Sequence, residues 1–298
     1  MVNVIPLKYG TPFKKAFSKK HIFQEFVRDI IGIEIDIDQV HTEYEYPGKV
    51  GNVKIKYDLF AEDTNSRTIV EIQHIKEEDF FYRFLYYHFI SIIEQVNTYE
   101  DYDSPKAVYT VVVLTSVPRD GSVDFSWGQH LTQLVDEYGK TRSLAPHRLI
   151  FLNPRLANDK TPAKVKPWLE LINDSLDKKM DEDDYSSPIF REIIDEIKSG
   201  TLTSEQLENL LNESAWEMAK ARFRREAHEE GWEEGREKGV EVGREEGREE
   251  GREEGLEVGK RQQQEATAKV MLGADVELSL IIQATGLSIE EIQNLSYG

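Results

Sequence analysis

Residues 53–73 read VKIKYDLFAEDTNSRTIVEIQ, and the fold turns on how the two halves of this stretch pair. In the first half Val53, Ile55, Tyr57 and Leu59 alternate with Lys54, Lys56 and Asp58, the period of a strand with two unlike faces. In the second half Val70 and Ile72 alternate with Glu71 and Gln73. Between them Asp63-Thr64-Asn65-Ser66 is turn chemistry, because these short polar side chains bond their own backbone. A hairpin centred between Thr64 and Asn65 sets Asp58 opposite Glu71 and Lys56 opposite Gln73. On the other face it puts Tyr57 over Ile72 and Leu59 over Val70, so that both apolar pairs anchor one core.

Cross-strand neighbours hold their Cβ atoms about 4.5–5.5 Å apart, and like charges there are destabilising. A hard cation between Asp58 and Glu71 reverses that sign, and oxygen ligands from one or two carboxylates suit Mg²⁺. Acids on the exposed face of a hairpin are also common, so spacing alone leaves both readings open.

Working outward, residues 12–31 carry helix-period apolar positions at Phe13, Phe17, Phe23, Phe26, Val27 and Ile30, and Gly32 closes that helix. Strands are expected at 40–46, 53–61, 67–74, 107–114 and 148–152, with an aromatic helix at 77–99 and a helical region between 114 and 148. This order predicts an α/β domain with a mixed sheet. On the 77–99 helix Arg83, Tyr87, Ile90 and Glu94 share one face, while Phe80, Phe81, Phe84, Leu85, Phe89, Ile92 and Ile93 are expected in the core. Lys14, Lys15, Lys19, Lys20 and His21 form a basic patch that is either a nucleic-acid contact or a solvated helix face. His74 alternates away from Glu71, which favours a hydrogen-bonded role over metal ligation.

The chain has 298 residues, no cysteine, and a net charge of −19, which excludes disulfides, thiolate metal sites and cysteine nucleophiles. Residues 1–170 hold 21 Lys+Arg against 24 Asp+Glu, so the acidity belongs to the C-terminal part. Such a chain is no passive nucleic-acid coat, whose affinity would come from many Lys/Arg–phosphate contacts. No apolar run reaches the ~18 residues of a membrane span, and the N-terminus lacks the apolar centre of a signal peptide, so a cytoplasmic protein is expected.

From 229 to 261 glycine recurs every four residues, from Gly231 to Gly259, with glutamate on the same period. Eight interior glycines cost a helix about 1 kcal/mol each relative to alanine, and Glu–Arg pairs return only a few tenths apiece. A helical spacer that self-associates is the expectation. The closing segment reads helix, turn, helix, with Ser288 as N-cap and Glu291 at its box position. Glu290 and Glu291 in its second helix stand where a DNA reader needs basic side chains, which favours a protein contact.

Asp58, a turn, and Glu71-Ile72-Gln73 resemble the catalytic core of PD-(D/E)XK nucleases in a Glu-x-Gln form. More closely, the chain resembles the Rpn family of recombination-promoting nucleases and transposases. Phe13-Lys14-Lys15-Ala16-Phe17, Tyr57-Asp58-Leu59, Val70-Glu71-Ile72-Gln73 and the helix with Arg83, Tyr87 and Gln95 carry the likeness, as do the Gly-repeat tail and Thr285-Gly286-Leu287-Ser288. The resemblance implies a restriction-endonuclease-like α/β core, a mixed sheet flanked by helices, followed by an extended α-helical C-terminal region. It implies a metal-dependent DNA endonuclease linked to recombination or transposition. Asp58, Glu71 and the Ile72 carbonyl would hold Mg²⁺ or Mn²⁺, Gln73 would orient water, and Arg83 and Tyr87 would support the phosphate. Lys56, cross-strand from Gln73, is the candidate for the positive charge that Gln73 lacks.

Many relatives carry an Asp just before the Phe-Lys-Lys helix where this chain has Gly10-Thr11-Pro12, and Glu25 is a candidate replacement. The expected organisation is a nuclease-like domain at 1–160, a helical region at 161–228, the spacer at 229–265 and the terminal module at 266–298. DNA is the expected partner, with RNA as the alternative substrate and a homodimer formed through the helical tail. A catalytically inactive adaptor of the same fold, binding nucleic acid or protein, is the alternative function.

Overall fold

A computed structural model describes residues 1–45, 55–74, 80–95, 106–118 and 121–296. Residues 46, 53–54, 77–79 and 96–99 of the expected elements lie outside that set. The elements run β1 (Val2–Asn3), α1 (Gly10–Phe17), α2 (Lys20–Ile31), β2 (His41–Glu45), β3 (Lys56–Glu62), β4 (Ser66–Gln73) and α3 (Phe80–Ile93). Then follow β5 (Ala107–Leu114), β6 (Trp127–Val135), β7 (Thr141–Leu152), α4 (Lys166–Ser175), β8 (Lys179–Met180) and α5 (Pro188–Ile197). The chain closes with α6 (Ser204–Gly273), α7 (Leu278–Thr285) and α8 (Ile289–Ser296).

Six strands form one mixed sheet in the order β2-β3-β4-β5-β7-β6. The β2-β3-β4 meander and the β6-β7 hairpin are antiparallel, while β4-β5 and β5-β7 are parallel. One face packs on α1, α2, α4 and α5 through Phe13, Phe17, Phe26, Val111, Ile150 and Trp168. Phe13 stacks on Phe17 with centroids 4.3 Å apart, and Trp168 meets Phe26 at 5.1 Å and Phe190 at 4.9 Å. Each such ring contributes about 1.5–3 kcal/mol by burial, so this cluster fixes α1 against the sheet. The other face packs on α3 through Phe84, Tyr87, Val112 and Phe151.

The structure corrects several expectations. The helix expected over 12–31 is two helices, because Lys19 is extended (φ −68°, ψ 125°) and turns the chain between Phe17 and Phe23. In place of the helical region expected between 114 and 148, the described residues hold β6 and the first part of β7 and no helix. β6 lies at the sheet edge and its side chains are mostly half-buried or exposed, so it carries no clear period of two. Along α3, Phe89 and Ile93 are exposed rather than core.

By contacts the chain divides into Met1–Met218 and Ala219–Gly298. Residues 161–197 add Val165, Trp168, Ile172 and Ile194 to the same core as Phe13 and Phe17, so this part of the expected separate helical region completes the sheet domain. In the second unit Ala268, Ile281, Leu287 and Ile292 form a small core of their own. The Ser288 box forms as expected: the Ser288 N–H donates to Glu291 Oε2 (2.7 Å) and the Glu291 N–H to Ser288 Oγ (3.3 Å). No helix among the described residues is long and apolar enough to cross a membrane.

Candidate acidic centre at the end of the hairpin

The β3–β4 hairpin has the register its turn chemistry predicts: Leu59 pairs Val70, Phe60 pairs Ile69, and Glu62 pairs Arg67. The Asp63 carboxylate accepts the Asn65 and Ser66 N–H groups (2.8 and 2.7 Å), which closes the turn. One step beyond Leu59 and Val70 the backbone ladder stops and carboxylates replace it. The Asp58 N–H donates to Glu71 Oε1 and the Ile72 N–H to Asp58 Oδ2, both at 3.1 Å. The two acids therefore stitch the strands through each other's backbone.

β2 shares the irregularity. Its pairing with β3 is in register on both sides of Glu43, but Glu43 has φ +53°, the left-handed region that costs a side-chain-bearing residue about 1–2 kcal/mol. The facial alternation slips at the same level. Tyr57 packs with Phe60, Phe84 and Tyr87 on the α3 side, and Leu59 with Val70 and Ile72 on the other. The shared apolar face expected for Tyr57 and Leu59 is thus corrected: the break at Asp58 lets neighbouring residues serve opposite cores.

Glu71 is buried, at 4% exposure, and Asp58 is half-buried. Burial pushes the Asp58 carboxyl up, opposed by the Ile72 N–H and the Lys14 charge, with Glu213 and Glu43 adding repulsion. Burial, then the Asp58 charge, raises Glu71 well above the usual carboxylate range, opposed by the Asp58 N–H, Arg83 and Lys14. Two acids that both resist ionisation are a site short of positive charge. The donor set is hard oxygen throughout, which fits Mg²⁺ or Mn²⁺ with water filling the other positions. Among the described residues no third acid or histidine gathers with them as a ligand.

The other sequence candidates fall as follows. Gln73, half-buried at the end of β4, accepts from Arg83 Nη1 at 3.4 Å. Arg83 is exposed and lies over the Tyr87 ring, its guanidinium carbon 5.3 Å from the centroid. Tyr87 is itself core, and its backbone carbonyl accepts from Tyr57 Oη at 3.4 Å. Glu94, just past the end of α3, pairs with Arg67. Lys56 is exposed and bonds Glu43, whose other oxygen takes Lys14 Nζ at 2.5 Å. Those two bonds hold Glu43 down to about 2. Glu25 pairs with Arg28 on its own helix. His74 bonds Thr115 Oγ1 (3.0 Å) and Glu217 (3.2 Å), the hydrogen-bonded role expected for it.

Two residues of the surroundings escaped sequence reasoning. Lys14 belonged to the supposed basic patch, yet it acts on both Asp58 and Glu71. The patch itself is largely consumed within the chain, with Lys15 on Glu196, Lys19 on Glu192 and Glu196, and His21 on Glu192. Glu213 arrives from α6, and no local spacing relates it to the hairpin.

No curated protein and no solved structure matches the chain. A family model described as PD-(D/E)XK nuclease family transposase matches residues 11–221, more than half of it. That span takes in α1, the hairpin with Asp58 and Glu71, α3, the rest of the sheet and the start of α6, which are the elements that build the acidic centre. With its mixed sheet flanked by helices, this chain belongs to the PD-(D/E)XK nuclease family transposases.

Proposed function

We propose that the protein is a divalent-cation-dependent endonuclease that hydrolyses phosphodiester bonds in DNA, in recombination or transposition, within the cytoplasm. The observation that carries this reading is the Asp58/Glu71 pair, set at a break in the ladder, with both carboxyls pushed up by burial and Glu71 further by the Asp58 charge. Asp58, Glu71 and the Ile72 carbonyl hold the ion, Mg²⁺ or in its place Mn²⁺. When bound, it supplies Lewis acidity at the phosphate and lowers the pKa of a water.

The side chains do the rest. Gln73 orients the attacking water through its amide, which can donate and accept but carries no charge. Arg83, steadied on the Tyr87 ring, and Lys56 with Lys14 balance the phosphate charge at the two sides of the pair. Two copies joined through the helical C-terminal region bring two such centres to the two strands of a duplex.

The test is nicking of supercoiled plasmid with Mg²⁺, Mn²⁺, Ca²⁺ or EDTA. Cleavage is expected with Mg²⁺ and Mn²⁺ and is expected to fall about a thousandfold in Asp58→Ala and Glu71→Ala. A folded wild type that cuts neither DNA nor RNA overturns the reading in favour of an inactive adaptor. Cleavage of RNA alone moves the substrate. An unchanged rate in Lys56→Ala removes Lys56 from the site.

A further inference from the structure

α1 begins at Gly10, where its first N–H groups have no partner in their own helix. Glu213 of α6 takes them: its carboxylate accepts from the Gly10 N–H (2.7 Å), the Thr11 N–H (3.1 Å) and Thr11 Oγ1 (2.6 Å). A Cβ built on Gly10 would lie 3.5 Å from Lys14 Nζ and 3.6 Å from Glu213 Oε1. A side chain at position 10 would therefore point into the space between that ammonium and that carboxylate. Lys14 acts electrostatically on both Asp58 and Glu71, and Glu213 acts on Asp58. One turn on, Glu217 takes Lys8 Nζ (2.8 Å) and His74 Nε2 (3.2 Å), and His74 directly follows Gln73. Two glutamates four residues apart on α6 thus grip the start of α1, which carries Lys14, and the residue that follows β4, which carries Glu71.

We propose that Glu213 is a positioning residue of the acidic centre: from α6 it places a third negative charge where a side chain on residue 10 would reach, near the Lys14 ammonium that opposes a cation at Asp58 and Glu71. The inference rests on the reading of Asp58 and Glu71 as cation ligands. A cap alone would need only an acceptor oxygen, whereas the charge adds to the field that draws a cation and offsets Lys14, which opposes it.

The experiment is Mn²⁺ titration of the full chain by calorimetry, with thermal unfolding of each variant. Glu213→Gln keeps an acceptor oxygen for the Thr11 N–H and hydroxyl but turns its amide NH₂ on the Gly10 N–H, so its unfolding midpoint is expected to fall by only a few degrees while Mn²⁺ binds about tenfold more weakly. The double variant Gly10→Asp with Glu213→Ala returns a carboxylate to the same space and is expected to bind within about threefold of wild type. Wild-type Mn²⁺ affinity in Glu213→Gln overturns the proposal. Should that variant not fold, the double variant decides, and affinity more than about tenfold below wild type overturns it. Asp58→Asn separates the two readings. If it abolishes binding while Glu213→Gln leaves it intact, only this inference fails; if it binds like wild type, the cation reading itself fails.

Discussion

In the unit Met1–Met218, glutamates hold particular partners: Glu71 the Asp58 N–H, Glu43 two lysines, Glu213 the start of α1. In Ala219–Gly298, glutamates from 229 to 257 recur with the glycines along α6 and are exposed to solvent. Ion pairs there include ones spaced four apart on the helix surface, Glu234/Lys238 and Arg261/Glu265, and Arg261 also reaches Glu291 of α8. A Cβ on any glycine from Gly231 to Gly259 would meet nothing within 4 Å. The same residue type is thus a local switch of charge where a core constrains it, and a solubilising repeat where none does. The difference lies in desolvation, which makes one buried carboxylate count for more than many solvated ones.

That contrast can be broken at several strengths. Phe17→Ala is expected to cost the first unit about 3–5 kcal/mol, because it empties a site among Phe13, Phe26 and Trp168. Near-ultraviolet dichroism should then melt earlier while the far-ultraviolet helical signal of the 219–298 segment persists. A common shift of both signals would show that the two units unfold as one.

Glu71→Gln is expected to stabilise the metal-free protein at neutral pH by about 0.5–2 kcal/mol while removing activity. The sign follows from the raised carboxyls. Their contribution to stability is complete below the ordinary carboxylate range and is lost as pH rises through the elevated folded values. The gap between Glu71→Gln and wild type should therefore widen from about pH 4 to neutrality and narrow again when Mn²⁺ is added. A gap that does not change with pH contradicts the buried-charge account.

Smallest is the effect expected in the tail. Gly243→Ala and Gly247→Ala should each raise the helix stability of α6 by about 1 kcal/mol, read as a higher melting midpoint for residues 219–298. If the same changes instead dissociate a dimer, the glycines mark a close helix contact, which sharpens the contrast by giving the exposed unit a partner.

Much of the fold was legible where local chemistry and long-range packing agree. The Asp63–Ser66 turn was enough to set the hairpin register that brings Asp58 to Glu71, though the alternation read beside it slips at Asp58, and Ser288/Glu291 was enough for the last helix. What escaped were features that no neighbour in sequence dictates. β6 pairs at the sheet edge with too little burial to pattern its residues. The left-handed backbone at Glu43 belongs to no turn motif and is held by the strands on either side. Glu213 reaches Gly10 across 203 positions. Lys14 and Lys15 are adjacent and chemically alike, yet one faces the acidic pair and the other binds the Glu196 carbonyl, a choice made only by the packing of Phe13 and Phe17.

The substitution of carboxylates for ladder bonds at Asp58 also makes the strand ends an indicator of occupancy. The amide protons of Asp58 and Ile72 are held by the same side chains that would turn toward a cation. A cation at those oxygens draws electron density away from both amides, and its removal returns it. These two backbone resonances would therefore report on loading of the centre directly, without substrate, nucleic acid or any engineered probe.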